Sequence, residues 1–341
     1  MTSNQHNPDF DAGALRSFLA GELGLTGLMS LERIEGGQSN PTYFVTFPDR
    51  RFVLRKKPGG PILPSAHAID REFRVLSALE GTQVPVPRVL LYCADSEIIG
   101  TPFYIMERLE GRVFHDCALP GLRSDERRAI YLSMAETLAA LHAVEPAEIS
   151  LEDFGRPGNY FQRQIARWSR QWAESPTKDI PELDAVVAWL STHLPPDDGR
   201  VAIAHGDFRL GNLVIHPSEP RVVGVLDWEL STLGHPLAEL GFCCMPWHTA
   251  PDEYNGILGL DREALGVPRE EEFVNHYFSH GTPDGSFGAF HRAFALFRFA
   301  VIFVGIADRG RAGTAAGHNV PAVSHLGRHF ARRALDIINQ A

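Results

Sequence analysis

Three oxygen-bearing side chains stand at spacings that suit phosphoryl transfer. The segment HGDFRLGNLVIH covers residues 205–216 and VLDWE covers 225–229, so Asn212 follows Asp207 by five positions and Asp227 follows it by twenty. Moving a phosphoryl group from a nucleotide asks for one carboxylate that orients the attacking hydroxyl and accepts its proton. It also asks for hard oxygen ligands that hold magnesium on the phosphates. Asp207 suits the first task, and the Asn212 amide oxygen with the Asp227 carboxylate suits the second. Arg209, two residues after Asp207, either meets the transferring group or the substrate, or braces the loop by a salt bridge. In EGGQSNPTY (35–43), Gly36, Gly37, Ser39 and Asn40 are small enough for backbone N–H groups to approach phosphates. The same glycine pair also makes an ordinary turn between strands.

These residues need elements to carry them. Residues 9–22 read as a helix in which Phe10, Leu15, Phe18 and Leu19 share a face. Alternating and β-branched runs flanked by GG and PDR give three antiparallel strands near 29–36, 41–47 and 51–57. A helix over 69–80, with Phe73, Leu76 and Leu79 on one face, precedes an extended VPVPRVL and a strand at 102–107. Then helices dominate. The segment 124–144 opens with Ser124 as cap and buries Ile130, Met134, Leu138 and Leu141; helical patterns follow near 158–173 and 180–193. Residues 201–229 form a short strand-and-loop section, in which LVI and VVGVL place Asn212 and Asp227 at the ends of a hairpin. The rest is mainly helical. The pattern is α+β: a small antiparallel-sheet lobe over 1–107 and a larger, mainly helical lobe over 108–341.

The order H-G-D-x-x-x-x-N, then an apolar residue and D-W, resembles the aminoglycoside phosphotransferase superfamily, small-molecule relatives of the protein kinases. The resemblance runs from about residue 28 to 330. It implies a bilobal protein-kinase-like fold, ATP or GTP as donor, Mg2+, and a small-molecule hydroxyl as acceptor. It places Arg55, in FVLRKK, where the family carries a phosphate-contacting lysine, and pairs it with Glu72. Strand alternation points Lys56 to the opposite face, where a solvated cation on an edge strand is the plain alternative. The resemblance also implies that backbone groups near Glu107–Leu109 bind the base, that His205 braces the loop, and that Glu239 is a structural carboxylate ordering it.

Composition narrows the partners. A formal net charge of −10 over 341 residues argues against general nucleic-acid binding. The apolar stretch 293–310 is short for a membrane span and is interrupted by Arg298, so it reads as a buried helix. The first ten residues are polar and suit no secretory signal, and four scattered cysteines suit a reducing cytoplasm. Among fifteen histidines, no H-x-x-x-H pair stands beside a carboxylate in a recognisable pattern; His325 and His329 read as a surface or core pair.

The last segment carries Arg292, Arg298, Arg309, Arg311, Arg328, Arg332 and Arg333 against Asp308 and Asp336. Complementarity favours a neutral or anionic acceptor, unless these arginines lie on outer helix faces. A finer resemblance agrees. FVLRKKPGGPILPSAHAIDREFRVL and the run from HGDF to AELG look like the kinase-like domain fused to some acyl-CoA dehydrogenases. That subgroup implies a hydroxyacyl acceptor or its CoA thioester. The alternatives are an aminoglycoside-type antibiotic phosphotransferase and a catalytically silent nucleotide-binding pseudokinase.

Overall fold

The computed structural model describes residues 8–34, 40–59, 68–281, 287–313 and 323–341. The chain divides into two compact units, residues 1–110 with 224–229, and residues 111–223 with 230–341. A division into 1–107 and 108–341 therefore needs one correction: the six residues 224–229, which carry Asp227, group with the first unit.

The first unit is built on an antiparallel sheet of β1 (Ser30–Arg33), β2 (Thr42–Thr46), β3 (Arg51–Lys56), β4 (Val89–Cys93) and β5 (Phe103–Glu107), in the order β1-β2-β3-β5-β4. β3 is thus central, not an edge strand. It pairs Arg55 with Thr42 on one side and Tyr104 on the other. Helix α1 (Ala12–Leu23) starts at Asp11, whose side chain accepts from the N–H groups of Gly13 and Ala14. Its Leu15 and Leu19 join Phe52, Leu54 and Phe103 in one core. Lys56 shares that apolar face and is buried, with its Nζ 2.6 Å from Asp9. A solvated lysine is therefore the wrong reading. The opposite sheet face meets α2 (Ile69–Leu79), which buries Ile69, Glu72, Val75, Leu76 and Leu79. Phe73 stays half-buried and packs against Tyr92 and Tyr104 instead.

The second unit is mainly helical: α4 (Ser124–His142), α5 (Tyr160–Glu174), α6 (Pro181–Thr192), α7 (Pro236–Cys243), α9 (Glu270–His280), α10 (Ala289–Arg311) and α11 (Leu326–Asn339), with short helices α3 (Ser96–Ile99) in the first unit and α8 (Arg262–Leu265) in the second. Ser124 is the first helical residue of α4 and not its cap. Arg123 holds the cap position without a side-chain bond, and Asp125 and Glu126 supply the negative charge that the helix N-terminus favours. α10 is long and apolar enough to cross a membrane by length and composition, and most of its side chains are buried. Phe294, Phe297, Ala300 and Val304 pack with Phe330 and Ala331 of α11 and with Trp168 and Trp172 of α5. α4 lies against α9. Short strands β6 (Ala202–Ala204), β7 (Leu213–Ile215), β8 (Val222–Val225) and β9 (Thr232–Gly234) pair as β6-β9 and β7-β8.

Candidate active site

The loop from His205 to Asn212 leaves β6 and enters β7 through a short 3-10 turn, Leu210–Asn212. Its backbone is held from behind by one buried carboxylate. Glu239 on α7 accepts from the N–H of His205 at 3.0 Å and from the N–H of Gly206 at 2.6 Å. The same carboxylate meets His142 Nε2 of α4 at 3.1 Å, and His142 Nδ1 lies 2.8 Å from the Tyr277 hydroxyl of α9. If Nε2 carries the proton and donates to Glu239, Nδ1 accepts from Tyr277, and every polar atom of the chain is satisfied. Burial opposes the charge on Glu239. Hydrogen bonds from His142 and Gly206 outweigh it and hold the carboxyl below its ordinary pKa.

Gly206 is the one residue the loop permits at its position. Its φ is +88°, and a Cβ there would stand 2.5 Å from the Leu230 carbonyl oxygen. Arg298 Nη2 donates to the Gly206 carbonyl at 3.2 Å, and Cys243 Sγ donates to that of Phe208 at 3.2 Å. The Asp207 N–H donates to His205 Nδ1 at 3.2 Å, so the buried His205 does brace the turn.

Asp207 and Asn212 are brought together. The Asn212 amide donates to both the Asp207 carbonyl and its Oδ2, each at 2.8 Å. Both amide hydrogens being committed, the Asn212 Oδ1 is left as a neutral oxygen donor of the kind a hard cation accepts. Arg209 Nε donates to the same Asp207 oxygen at 3.1 Å, and its half-exposed side chain also lines a cavity of about 240 Å³. Phe208, Met134 and Phe242 form apolar wall of that cavity, with Tyr254 and His115 beside them. Among the described residues that line it none is Asp or Glu. Gly211 floors it; a side chain there would collide with Arg209 and His115.

In the first unit, Arg55 is the hub. Its Nε lies 2.7 Å from Glu72 Oε2, and its Nη2 lies 2.6 Å from Asp227 Oδ1 and 3.5 Å from Glu229 Oε2. Burial alone works against the guanidinium charge; Glu72, Asp227 and Glu229 outweigh it and raise the Arg55 pKa. Glu72 is buried and is held further by Asn40 Nδ2 at 2.6 Å and the Tyr104 hydroxyl at 3.0 Å. Asn40 is therefore placed on the Glu72 carboxylate. Asp227 has a left-handed backbone, φ +67°. Its segment is tied by Val225 N–H to the Pro85 carbonyl at 2.8 Å and by the buried Trp228, whose indole donates to the Val225 carbonyl. The Asp227 side chain is 38% exposed, so its carboxylate can be reached by a cation.

Other sequence expectations fare differently. Gly36, Gly37 and Ser39 lie outside the described residues. The Glu107 N–H donates to the Arg88 carbonyl at 2.9 Å and is committed to the sheet; Leu109 lies two residues past the end of β5. The late arginines are mostly paired with acids of their own unit: Arg292 with Glu270, Arg311 with Asp308, Arg328 with Asp179, Arg332 with Glu182 and Arg333 with Glu253. Their charge is answered locally, which removes the argument for a basic substrate surface. His142 and Tyr277 were not singled out from the sequence; a lone helix histidine carries no signal until its partner across 97 residues is known.

The model of the family described as "Phosphotransferase enzyme family" matches residues 30–273. A solved structure from Ralstonia eutropha JMP134, classed with the aminoglycoside phosphotransferases, is 43% identical, with a TM-score of 0.88 over 97% of this chain and 99% of that one. Aminoglycoside phosphotransferase APH(4)-Ia, captured with AMP-PNP and hygromycin B, superposes with a TM-score of 0.62 over 96% of this chain and 99% of that one. At 15% identity it speaks to the fold alone. Among curated proteins, acyl-CoA dehydrogenase family member 10 of Mus musculus is 43% identical over 329 residues, and family member 11 of Gallus gallus is 38% identical over 343. The matches cover 95% and 96% of this chain but 31% and 43% of those longer proteins.

Proposed function

The chain belongs to the phosphotransferase enzyme family, and from that premise we propose that it transfers the γ-phosphoryl group of ATP to the hydroxyl of a hydroxyacyl compound, as free acid or CoA thioester. The observation that carries the proposal is the apolar cavity walled by the residues that follow Asp207, with Arg209 as its cationic side chain and no acidic residue among those described in its lining. Such a cavity suits an alkyl body and an anionic or neutral acceptor. A polycationic aminoglycoside would bring charges that nothing in the lining answers. The relatives named for acyl-CoA dehydrogenases support acyl chemistry, and the family match supports phosphoryl transfer.

In the proposed reaction Asp207 accepts a hydrogen bond from the acceptor hydroxyl and takes its proton as the oxygen attacks the γ-phosphorus. The bond to the β–γ bridging oxygen breaks and ADP leaves. Asn212 Oδ1 in the second unit and the Asp227 carboxylate in the first each offer an oxygen of the kind Mg2+ takes, and the ion would supply neutralising charge on the phosphates. Asn212 keeps the Asp207 carboxylate turned by its N–H bond to Oδ2, its other N–H bond going to the Asp207 carbonyl. Arg55 holds phosphate charge in the manner of the family's lysine, with Glu72 as its buried ion-pair partner. Four free cysteines support the cytoplasm as the compartment.

The test is ADP release by the purified chain with ATP and Mg2+, over 3- and 4-hydroxyacyl-CoAs, the free hydroxy acids, kanamycin and hygromycin B. Acceptor-dependent turnover with the hydroxyacyl compounds is the expected result; turnover with the antibiotics alone overturns it. The Arg55–Asp227 contact at 2.6 Å favours one second reading, a silent nucleotide-binding chain, because it occupies an oxygen of the proposed metal ligand. Nucleotide binding with no Mg2+-dependent transfer to any acceptor would establish that reading instead.

A further inference from the structure

We infer that Glu136, His276 and His280 form a site for a divalent transition-metal ion on the seam between α4 and α9. The pair His276-x-x-x-His280 puts two imidazoles one turn apart on one helix face, with ring centroids 4.3 Å apart. The carboxylate comes from α4, 140 residues away in sequence, which is why the pattern cannot be read along the chain. Glu136 Oε1 stands 2.7 Å from His276 Nε2 and 3.8 Å from His280 Nε2. One donor atom from each of the three residues lies within 4.8 Å of the other two. Two donors bound at about 2.0–2.1 Å to one tetrahedral ion stand roughly 3.4 Å apart, a value between those two distances.

The surroundings of His280 accommodate a ligand tautomer. Its Nδ1 lies 2.9 Å from the His276 carbonyl oxygen and 3.1 Å from the Ser279 hydroxyl, both able to accept, so a proton on Nδ1 is satisfied and Nε2 then presents its lone pair. A metal-bound imidazole commonly donates its other N–H to a carbonyl in this way. Two imidazoles and one carboxylate suit Zn2+, Ni2+ or Cu2+ better than Mg2+ or Ca2+, which prefer oxygen. All three side chains reach solvent, so the ion can exchange and water can take the fourth position. The site has a structural neighbour of consequence. Tyr277, next to His276, holds His142 of α4, the partner of Glu239. A bound ion would pin α4 to α9 beside the brace of the catalytic loop.

The second helical pair, His325 and His329, serves as the internal control. The nearby carboxylate, Glu253, is already held twice by Arg333. The experiment is zinc titration calorimetry and Co2+ absorption on the untagged, chelator-stripped full chain. We expect one zinc ion per chain at this site, Co2+ ligand-field bands, and a zinc-dependent rise in the thermal midpoint. His276→Ala with His280→Ala, and Glu136→Gln separately, should each weaken zinc binding by at least about tenfold, and His325→Ala with His329→Ala should leave it within about twofold. Circular dichroism verifies that each variant is folded, and the single Glu136→Gln variant serves if the double one is not. Zinc binding unchanged in the Glu136→Gln and His276→Ala/His280→Ala variants, or no zinc bound by the wild-type chain, overturns the inference.

Discussion

Asp207 and Asp227 are both carboxylates of the proposed chemistry, and the fold holds them by different means. Around Asp207 most of the work is done by backbone: Glu239 fixes two loop N–H groups, Gly206 takes a conformation closed to other residues, and the Asn212 amide and the Arg209 guanidinium meet one carboxylate oxygen. Around Asp227 the work is done by charge: one guanidinium is shared among Asp227, Glu72 and Glu229. The difference suits the tasks. A general base must be aimed at the hydroxyl it serves, and a loop fixed by its own backbone fixes that aim. A metal ligand must present its oxygen at a fixed point, and a guanidinium shared with Glu72 and Glu229 holds the Asp227 carboxylate in place.

The comparison can be broken at several points. The largest effect is expected from Asp207→Asn, which removes the base but keeps the shape. The kcat should fall by about 10³-fold or more, while ATP affinity by calorimetry stays within a few-fold. Near-normal turnover would remove Asp207 from its role. Next comes Glu239→Gln, which leaves a buried network half-satisfied. A loss of about 2–3 kcal/mol in urea unfolding is expected, with a fall in kcat because the loop loses its backing. The wild-type chain should also show a pH signature here. The Glu239 carboxyl is depressed in the folded state from an ordinary value of 4.5, so its stabilisation is complete above that value and is lost as the pH falls through the folded-state value. Unfolding midpoints should therefore decline more steeply below pH 4.5 in the wild type than in Glu239→Gln; parallel curves would show that the carboxylate is not the group involved.

Smaller effects separate the two regions further. Arg55→Lys keeps the charge but loses the fork that spans Glu72 and Asp227. The KM for ATP should rise by about tenfold, with a smaller change in kcat. Smallest is Arg209→Gln, where the KM for the acceptor should rise a few-fold and that for ATP should not move. An equal rise in both would assign Arg209 to the loop and not to the acceptor.

The sequence was most informative where chemistry and order coincide. Asp207, Asn212 and Asp227 stand out because few reactions need those types at those separations, and the strands of the first unit follow from alternation and turn residues, though the insertion of β5 between β3 and β4 does not. Three features were illegible for physical reasons. Lys56 reads as a surface cation because its partner Asp9 lies outside the strand that carries it. The His142–Glu239–Tyr277 chain joins three helices, so no local period encodes it. The arginines of the last helices look like an anion site until Glu270, Asp179, Glu182 and Glu253 are found beside them. Charge is visible in a sequence, but its neutralisation is a property of packing.

The ammonium of Lys56 has a consequence for anyone shortening this chain. It ends 5.4 Å from the Phe10 ring and against Asp9, at the threshold of the first helix. Cutting just past those two residues would strand a cation in an oily compartment, which would have to admit water. The stub ahead of that helix is thus a plug for the sheet it touches, and expression boundaries are best drawn upstream of it.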